Sequence, residues 1–157
     1  MGDLTTDPDD PRLTHGVDPE PGPQAAAYLV LSEEERRNGW VRPYRDQYVH
    51  VGPPGAEHPL RDLTPEEGER FGGDTGYVKF EPYPPGGESS ATGRFWTQAQ
   101  LDAVGKGCGV VTHMGQALSE TYAREPRFYG ATYCVGCQRH LPVQEFVWDG
   151  SKDRVGS

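Results

Sequence analysis

The sequence Tyr133-Cys134-Val135-Gly136-Cys137-Gln138-Arg139-His140-Leu141-Pro142 (residues 133–142) contains the motif that we expect to organise the fold. Two thiolates three positions apart on a tight turn can bind one tetrahedral metal ion, and Gly136 supplies the backbone freedom of the turn. A Cys-x-x-Cys pair can also be a redox centre, which usually begins a helix in a thioredoxin-like βαβ unit. Pro142 prevents a long helix here. The motif therefore favours zinc over redox chemistry, and either of them over chance.

Cys108 is the only other cysteine of the chain, and it provides a third candidate ligand. Gly107 and Gly109 flank it, as glycines flank the cysteines of many zinc knuckles. A structural zinc ion needs four protein ligands. We therefore expect Cys108, Cys134 and Cys137 to share one Zn²⁺ ion with a histidine.

Local spacing leaves the fourth ligand open. His113 follows Cys108 in a Cys-x4-His pattern and is favoured by spacing alone. His50 ends an expected strand. It can meet Cys108 only if residues 52–107 form an excursion whose two ends lie close together. His140 must curl back towards the turn, and the remaining histidines, His15 and His58, fall in expected loops.

The composition suits a small core that needs additional stabilisation. Only 34 % of the 157 residues are hydrophobic, and the 21 glycines and 15 prolines indicate long connections. Aromatic residues partly compensate, since each can bury a large area, and a metal would supply the rest. The formal net charge of −9 opposes binding to phosphate backbones by the whole surface and docking on anionic membranes.

Compartment and organisation follow from the same composition. There is no long apolar run and no signal-peptide pattern, so we expect a cytoplasmic protein in which three cysteines serve metal or thiol chemistry. Residues 1–25 hold six acidic residues, one basic residue and five prolines, which predicts a flexible acidic arm. Residues 26–157 are expected to form a single zinc-stabilised domain.

Capping signals and periodicity predict short elements. Helices are expected after Ser32, after Thr64 and after Thr97, and a fourth from about Thr112 to Arg124 with an apolar stripe of Met114, Leu118 and Tyr122. Strands are predicted over residues 44–51 and 77–83, with short strands and an Asp149-Gly150 turn after residue 128 and a flexible loop over 84–93. The predicted fold is α+β, a loop-rich zinc-ribbon-like domain with short antiparallel strands and the 113–124 helix packed against the metal.

The segment from Tyr133 to Phe146 resembles a zinc knuckle of bacteriophage proteins. It has the Cys-x-x-Cys pair, Pro142 a few residues on, and then Glu145-Phe146. This knuckle often accompanies HNH-type endonucleases, but the chain has no His-His or His-Asn pair on a ββα pattern. The resemblance therefore implies a metal site and does not extend to nuclease activity.

A longer part of the chain resembles uncharacterised zinc-knuckle proteins of actinobacterial bacteriophages. The segments that carry the resemblance are Tyr48–Val51, Cys108-Gly109, Ala123–Cys134, Glu145–Gly150 and Arg154–Ser157. Some members of that group lack most of the residues between the histidine and the Cys-Gly, so that the two form a second knuckle. The resemblance implies that His50 is the fourth ligand, that about 52–107 is an insertion, and that the protein works in a host cytoplasm or a virion.

Three functions compete at this stage. The first is a structural zinc module that binds a partner macromolecule, most simply a protein such as a virion component or host factor. The second is nucleic-acid binding through arginines interleaved with aromatics, namely Arg36, Arg37, Arg42 and Arg45 with Trp40, Tyr44 and Tyr48. The third is a zinc-dependent hydrolase or nuclease with Glu120, Glu125 or Glu145 as base, or a Cys108–His113 nucleophile pair. We expect a non-enzymatic protein, since a Cys3His set resembles structural sites.

Overall fold

The computed structural model describes residues 3–13, 16–82 and 93–157. It is a mixed α/β chain of ten short strands and four short helices within those residues. In chain order these are β1 (Asp3–Thr5), β2 (Ala27–Leu29), α1 (Glu33–Arg37), β3 (Gln47–His50), β4 (Arg61–Asp62), α2 (Pro65–Phe71), β5 (Tyr77–Pro82), β6 (Gly93–Thr97), α3 (Gln98–Ala103), β7 (Val111–His113), α4 (Gln116–Arg124), β8 (Ala131–Cys134), β9 (Arg139–Pro142) and β10 (Phe146–Trp148).

The chain divides into two compact units. The first unit comprises the residues up to Gly52 together with Gly107–Ser157, and the second unit comprises Pro53–Lys106. The second unit occupies nearly the same residues as the predicted insertion at about 52–107. Most of the predicted loop over 84–93 lies outside the described residues, and its last residue, Gly93, begins β6. No helix formed by the described residues has the length and apolar character that a membrane span requires.

Two small sheets build the first unit around the candidate ligands. Strands β10, β3 and β7 form an antiparallel sheet in which His50 lies opposite Phe146. Strands β8 and β9 form an antiparallel hairpin that carries the Cys-x-x-Cys turn. Their apolar side chains make one buried cluster of Tyr48, Tyr122, Cys134, Leu141, Val143, Phe146, Trp148 and Val155. Because Cys134 belongs to this cluster, the candidate site is continuous with the core.

The fourth helix begins later than predicted. Residues Val111–His113 form β7, in which Thr112 pairs with Tyr48, and α4 begins only at Gln116. The predicted apolar stripe changes with it, since Met114 precedes the helix and Leu118 is half-buried. The helix instead buries Ser119, Thr121, Tyr122 and Ala123. The prediction of a 113–124 helix was therefore wrong at its start, because strand pairing overrides the local helical pattern.

The N-terminal segment contacts the rest of the first unit. Strand β1 pairs with β2 in parallel, a pairing that the predicted antiparallel pattern did not include. The Asp18 carboxylate accepts hydrogen bonds from the backbone N–H of His140 at 2.8 Å and from its ring at Nδ1, 2.6 Å away. These bonds lower the pKa of the Asp18 carboxyl group. The Nε2 atom of the same ring lies 2.8 Å from the hydroxyl of Tyr28.

The second unit has its own sheet and aromatic cluster. Strands β4, β5 and β6 are antiparallel, and α2 and α3 begin with the predicted caps at Thr64 and Thr97. The aromatic rings that stack on the sheet are Phe71, Tyr77, Phe80 and Phe95. The buried Glu81 accepts a hydrogen bond from Trp96 Nε1 at 2.8 Å and two from backbone N–H groups of residues 57 and 58.

Candidate metal centre

Three cysteines and one histidine from separate parts of the first unit converge on one point. His50 ends β3, Cys134 ends β8, Cys137 closes the turn that follows, and Cys108 lies where the chain returns to the unit. Their ligand atoms all lie within 4.8 Å of one another. The Sγ atoms of Cys108 and Cys134 are 3.3 Å apart, and Cys137 Sγ is 3.4 Å from His50 Nδ1.

The β8–β9 turn presents two of the thiols on the same side. The N–H of Gln138 donates to the carbonyl of Cys134 at 2.7 Å, and the N–H of Cys137 points to Cys134 Sγ at 3.4 Å. Gln138 has a φ of 55°, which closes the turn in the left-handed region. A Cβ atom at Gly136 would lie 2.7 Å from Cys108 Sγ. The glycine of the motif therefore makes room for the third cysteine.

A second turn brings Cys108 to His50. The N–H of Gly109 donates to the carbonyl of His50 at 2.9 Å, and the N–H of Cys108 donates to His50 Nδ1 at 3.2 Å. Gly109 has a φ of 72°, a conformation that suits glycine. A Cβ atom at Gly107 would lie 2.2 Å from the carbonyl oxygen of His50. Both glycines that flank Cys108 are thus required by backbone geometry.

Glu145 holds the His50 ring from its other side. His50 is 5 % exposed, and its Nε2 atom lies 2.9 Å from Glu145 Oε1. Because Nδ1 accepts a hydrogen bond, the proton of the neutral ring belongs on Nε2, which donates it to the carboxylate. Nδ1 is then the nitrogen with a lone pair facing the cysteines. Metal-bound histidines commonly have such a carboxylate partner, which fixes the tautomer and the ring orientation.

The sequence alone did not reveal this role of Glu145. It was considered there only as a possible general base. The structure places it in a short 3-10 turn over residues 143–145, and its carbonyl accepts hydrogen bonds from the N–H groups of Val51 and Gly52, both at 3.0 Å. The available signal was the Glu145-Phe146 pair of the knuckle pattern. Phe146 also packs on the His50 ring, with the ring centroids 4.9 Å apart.

The three thiols differ in acidity. Burial alone would raise the pKa of Cys108, but hydrogen bonds, first that from the Val110 N–H and then that from Cys134, outweigh burial and lower it to about 7. Burial raises the pKa of Cys134 to about 12 and also raises that of Cys137. A bound cation supplies the positive charge that three neighbouring thiolates need, and coordinating thiols are deprotonated.

The donor set and the distances are compatible with a metal site. Bonds of about 2.3 Å to sulfur and 2.1 Å to nitrogen in a tetrahedron place ligand atoms roughly 3.5–3.8 Å apart. The contacts of 3.3 and 3.4 Å fall a few tenths of an ångström short of that separation. Three sulfurs and one imidazole nitrogen make up a complete four-coordinate set, and all four ligand atoms lie within 4.8 Å of one another.

The other candidate histidines lie elsewhere. His113, which spacing alone favoured, is an exposed residue of β7 opposite Gln47 and is not part of the convergent group. His140 lies on β9, where its ring is hydrogen-bonded to Asp18 and Tyr28. The His50 alternative, which the family resemblance implied, is the one that the structure brings to the three cysteines.

The arginines of the nucleic-acid hypothesis have partners within the chain. Arg36 pairs with Glu120, Arg37 with Glu33, and Arg45 with Asp153. Arg42 donates to the backbone oxygens of Val41 and Ser157. Among the aromatics, Tyr48 is a core residue at 3 % exposure, whereas Trp40 and Tyr44 are exposed with ring centroids 5.8 Å apart.

Comparison with known proteins adds no family assignment. No family model, curated protein or solved structure matches this chain. The resemblance to phage zinc-knuckle proteins thus stays a prediction.

Proposed function

We propose that His50, Cys108, Cys134 and Cys137 bind one structural Zn²⁺ ion between two zinc-ribbon-like knuckles. The observation that carries this proposal is the convergence of three thiols and one imidazole nitrogen within 4.8 Å. Cys134 and Cys137 come from the β8–β9 turn, whereas His50 ends β3 and Cys108 follows it at a sequence separation of 58. Thiolate and imidazole donors suit zinc, and a Cys3His set is typical of structural sites.

A structural role follows from the number and burial of the ligands. Four protein donors fill a tetrahedral sphere and leave no position for a reactive water. Cys134 is 0 % exposed and Cys137 packs against the core, whereas Cys108 is exposed. Zinc binding of this type contributes on the order of 10 kcal/mol to folding. Such a contribution suits a core that is small for a loop-rich chain.

The partner of the zinc-stabilised module is proposed to be a protein. Trp40, Val41 and Tyr44 form an exposed apolar surface, with exposures of 45 %, 57 % and 40 %. Tryptophan and tyrosine are the residues that most often contribute binding energy at protein interfaces. Nucleic acid is the less favoured partner, because the carboxylates that pair with Arg36, Arg37 and Arg45 neutralise their charges.

The metal proposal predicts a specific order of zinc affinities. The wild-type chain, purified without added metal, is expected to carry one zinc by elemental analysis. His50→Ala removes a ligand and is expected to lose zinc, whereas Glu145→Gln keeps the ligand but weakens its orientation and should lower zinc affinity about 10–100-fold. Competition with a chromophoric chelator measures these affinities.

His113→Ala is the matched control for His50→Ala. It removes an exposed imidazole of the first unit and is expected to leave the zinc content and affinity unchanged. A metal-free, folded wild-type chain would overturn the proposal, and zinc loss in His113→Ala with retention in His50→Ala would overturn the ligand assignment. Co²⁺ substitution provides an independent check, since sulfur coordination gives intense visible and near-ultraviolet absorption.

If the partner is a protein, the chain is expected to bind nucleic acid only weakly. A fluorescent single-stranded oligonucleotide of about 20 nucleotides is longer than a typical OB-fold site. Its anisotropy should show no saturable change when the protein is added at low salt. The paired arginines and the net charge of −9 are the reason. Tight binding that falls steeply with salt, and that is lost in the Trp40→Ala/Tyr44→Ala variant, would instead favour a nucleic-acid-binding protein.

A further inference from the structure

A pocket in the first unit has no part in the proposed zinc site. Its volume is about 140 Å³. It is bounded by β3, β7, β8, α4 and the N-terminal segment, and five tyrosines contribute to its lining, namely Tyr28, Tyr48, Tyr122, Tyr129 and Tyr133. Such a concentration of aromatic side chains around one space is unusual in a chain with few hydrophobic residues, so the pocket requires a separate explanation.

The lining is aromatic and aliphatic over most of its extent. Met114 and Leu118 join the tyrosine rings, and no Asp, Glu, Lys or Arg is among the lining residues. Burial raises the pKa values of Tyr122 and Tyr129, so these phenols are neutral at physiological pH. A charged ligand would lose its hydration here without gaining a counter-charge. The pocket therefore favours a neutral ligand.

Hydroxyl groups give the pocket a polar side. Thr132 Oγ1 donates to the hydroxyl of Tyr48 at 3.0 Å, and Tyr48 in turn donates to the carbonyl of Tyr133. Thr112, opposite Tyr48 in the sheet, accepts from the N–H of Val135 at 3.1 Å and also forms a side-chain hydrogen bond with Tyr48. A ligand with one hydrogen-bonding group can use this cluster, whereas a purely apolar one cannot.

The size and the exposure of the pocket limit the ligand further. The floor residues Tyr48, Tyr122 and Thr132 are buried, at 3 %, 4 % and 9 % exposure, while His113 at the rim is exposed. The pocket is thus reached from solvent at one side. An engineered apolar cavity of about 150 Å³ in another protein binds benzene. A space of about 140 Å³ likewise has room for one six-membered ring.

We propose that this pocket binds a small, neutral, monocyclic aromatic compound that carries one hydrogen-bonding substituent. Its ring packs against the tyrosine rings, Met114 and Leu118, for which edge-to-face and offset contacts are favourable. Its substituent bonds with the hydroxyl cluster of Tyr48, Thr112 and Thr132. This site is independent of the zinc proposal, because its lining contains none of the four proposed ligands His50, Cys108, Cys134 and Cys137.

Phenol is the smallest probe that has these properties. In amide NMR spectra of the full chain as purified, we expect saturable shifts centred on Thr112, Met114 and Thr132. The dissociation constant should fall near about 1 mM, as expected for so small a ligand. Toluene, which lacks the hydrogen-bonding group, should bind at least threefold more weakly, and the charged benzoate should cause no saturable shift at these residues.

Two variants separate the pocket from general surface binding. Leu118→Trp fills the pocket and should reduce phenol affinity at least tenfold, whereas Leu60→Trp places the same ring in the second unit and should leave it unchanged. If Leu118→Trp does not fold, the comparison of phenol, toluene and benzoate on the wild-type chain still tests the proposal. The proposal is overturned if phenol gives no saturable shift, if toluene or benzoate binds as tightly as phenol, or if a folded Leu118→Trp chain keeps wild-type affinity.

Discussion

Cys134→Ser is expected to abolish zinc binding and to unfold the first unit. The Cys134 side chain is fully buried in the core, and its Sγ atom lies 3.3 Å from that of Cys108. A serine hydroxyl is a poor substitute for a thiolate, because it does not deprotonate near neutral pH and zinc prefers sulfur among these donors. Loss of the ion removes a contribution on the order of 10 kcal/mol, which exceeds half the stability of most domains.

The measurement is zinc content together with near-ultraviolet circular dichroism and thermal unfolding. Val135→Ser is the matched control, since it changes an exposed residue of the same turn and keeps all four ligands. We expect it to keep one zinc and a cooperative transition. A Cys134→Ser chain that retains zinc and native circular dichroism would show that the cysteines do not form the structural centre, and their redox chemistry would then need to be examined.

Gly107→Ala is expected to have the second largest effect, although it removes no functional group. The added Cβ atom would lie 2.2 Å from the carbonyl oxygen of His50 and 2.5 Å from the backbone nitrogen of Gly52. Both obstacles are backbone atoms, so no side-chain rotation relieves the contact. The chain must shift Cys108 away from His50, which costs at least about 3 kcal/mol of stability and loosens the metal site.

Gly130→Ala provides the comparison for this variant. Nothing lies within 4 Å of a Cβ atom at Gly130, so its stability should change by less than about 1 kcal/mol. Urea unfolding of both variants in the presence of zinc gives the difference in free energy. Equal stabilities of Gly107→Ala and Gly130→Ala would contradict the close approach of Gly107 to the backbone of His50 and Gly52.

Local signals predicted the elements that are determined locally. The caps at Thr64 and Thr97 begin α2 and α3 as expected, because a cap depends only on residues within one helical turn. Ser32 likewise accepts from the N–H of Glu35 at the start of α1. The alternation over residues 44–51 predicted the strand in which Tyr48 and His50 are buried, since strand periodicity places both on one face.

Elements whose partners are distant in sequence were predicted less well. Residues 112–115 continue a helical pattern, yet Thr112 forms β7 because it pairs with Tyr48, more than sixty positions earlier. The parallel pairing of β1 with β2 has the same cause, since neither strand has a strong pattern of its own. Pairing partners of this kind compensate for weak local preferences, and their identity is not encoded within either segment.

The sequence by itself determined which residues can bind a metal and how two of them are arranged. Cys134 and Cys137 belong to one tight turn, so their spacing is sufficient to place both thiols together. The sequence also predicted Cys108 as the third ligand and left the histidine open, with His50 implied by the family resemblance. Only the tertiary structure places His50 and Cys108 beside the other two cysteines and Glu145 beside the imidazole. These residues are brought together by the pairing of β3 with β10 and by the return of the chain at Gly107. Closing a long loop loses only slightly more conformational entropy than closing a short one. Sequence separation therefore could not discriminate between His50 and the nearer His113.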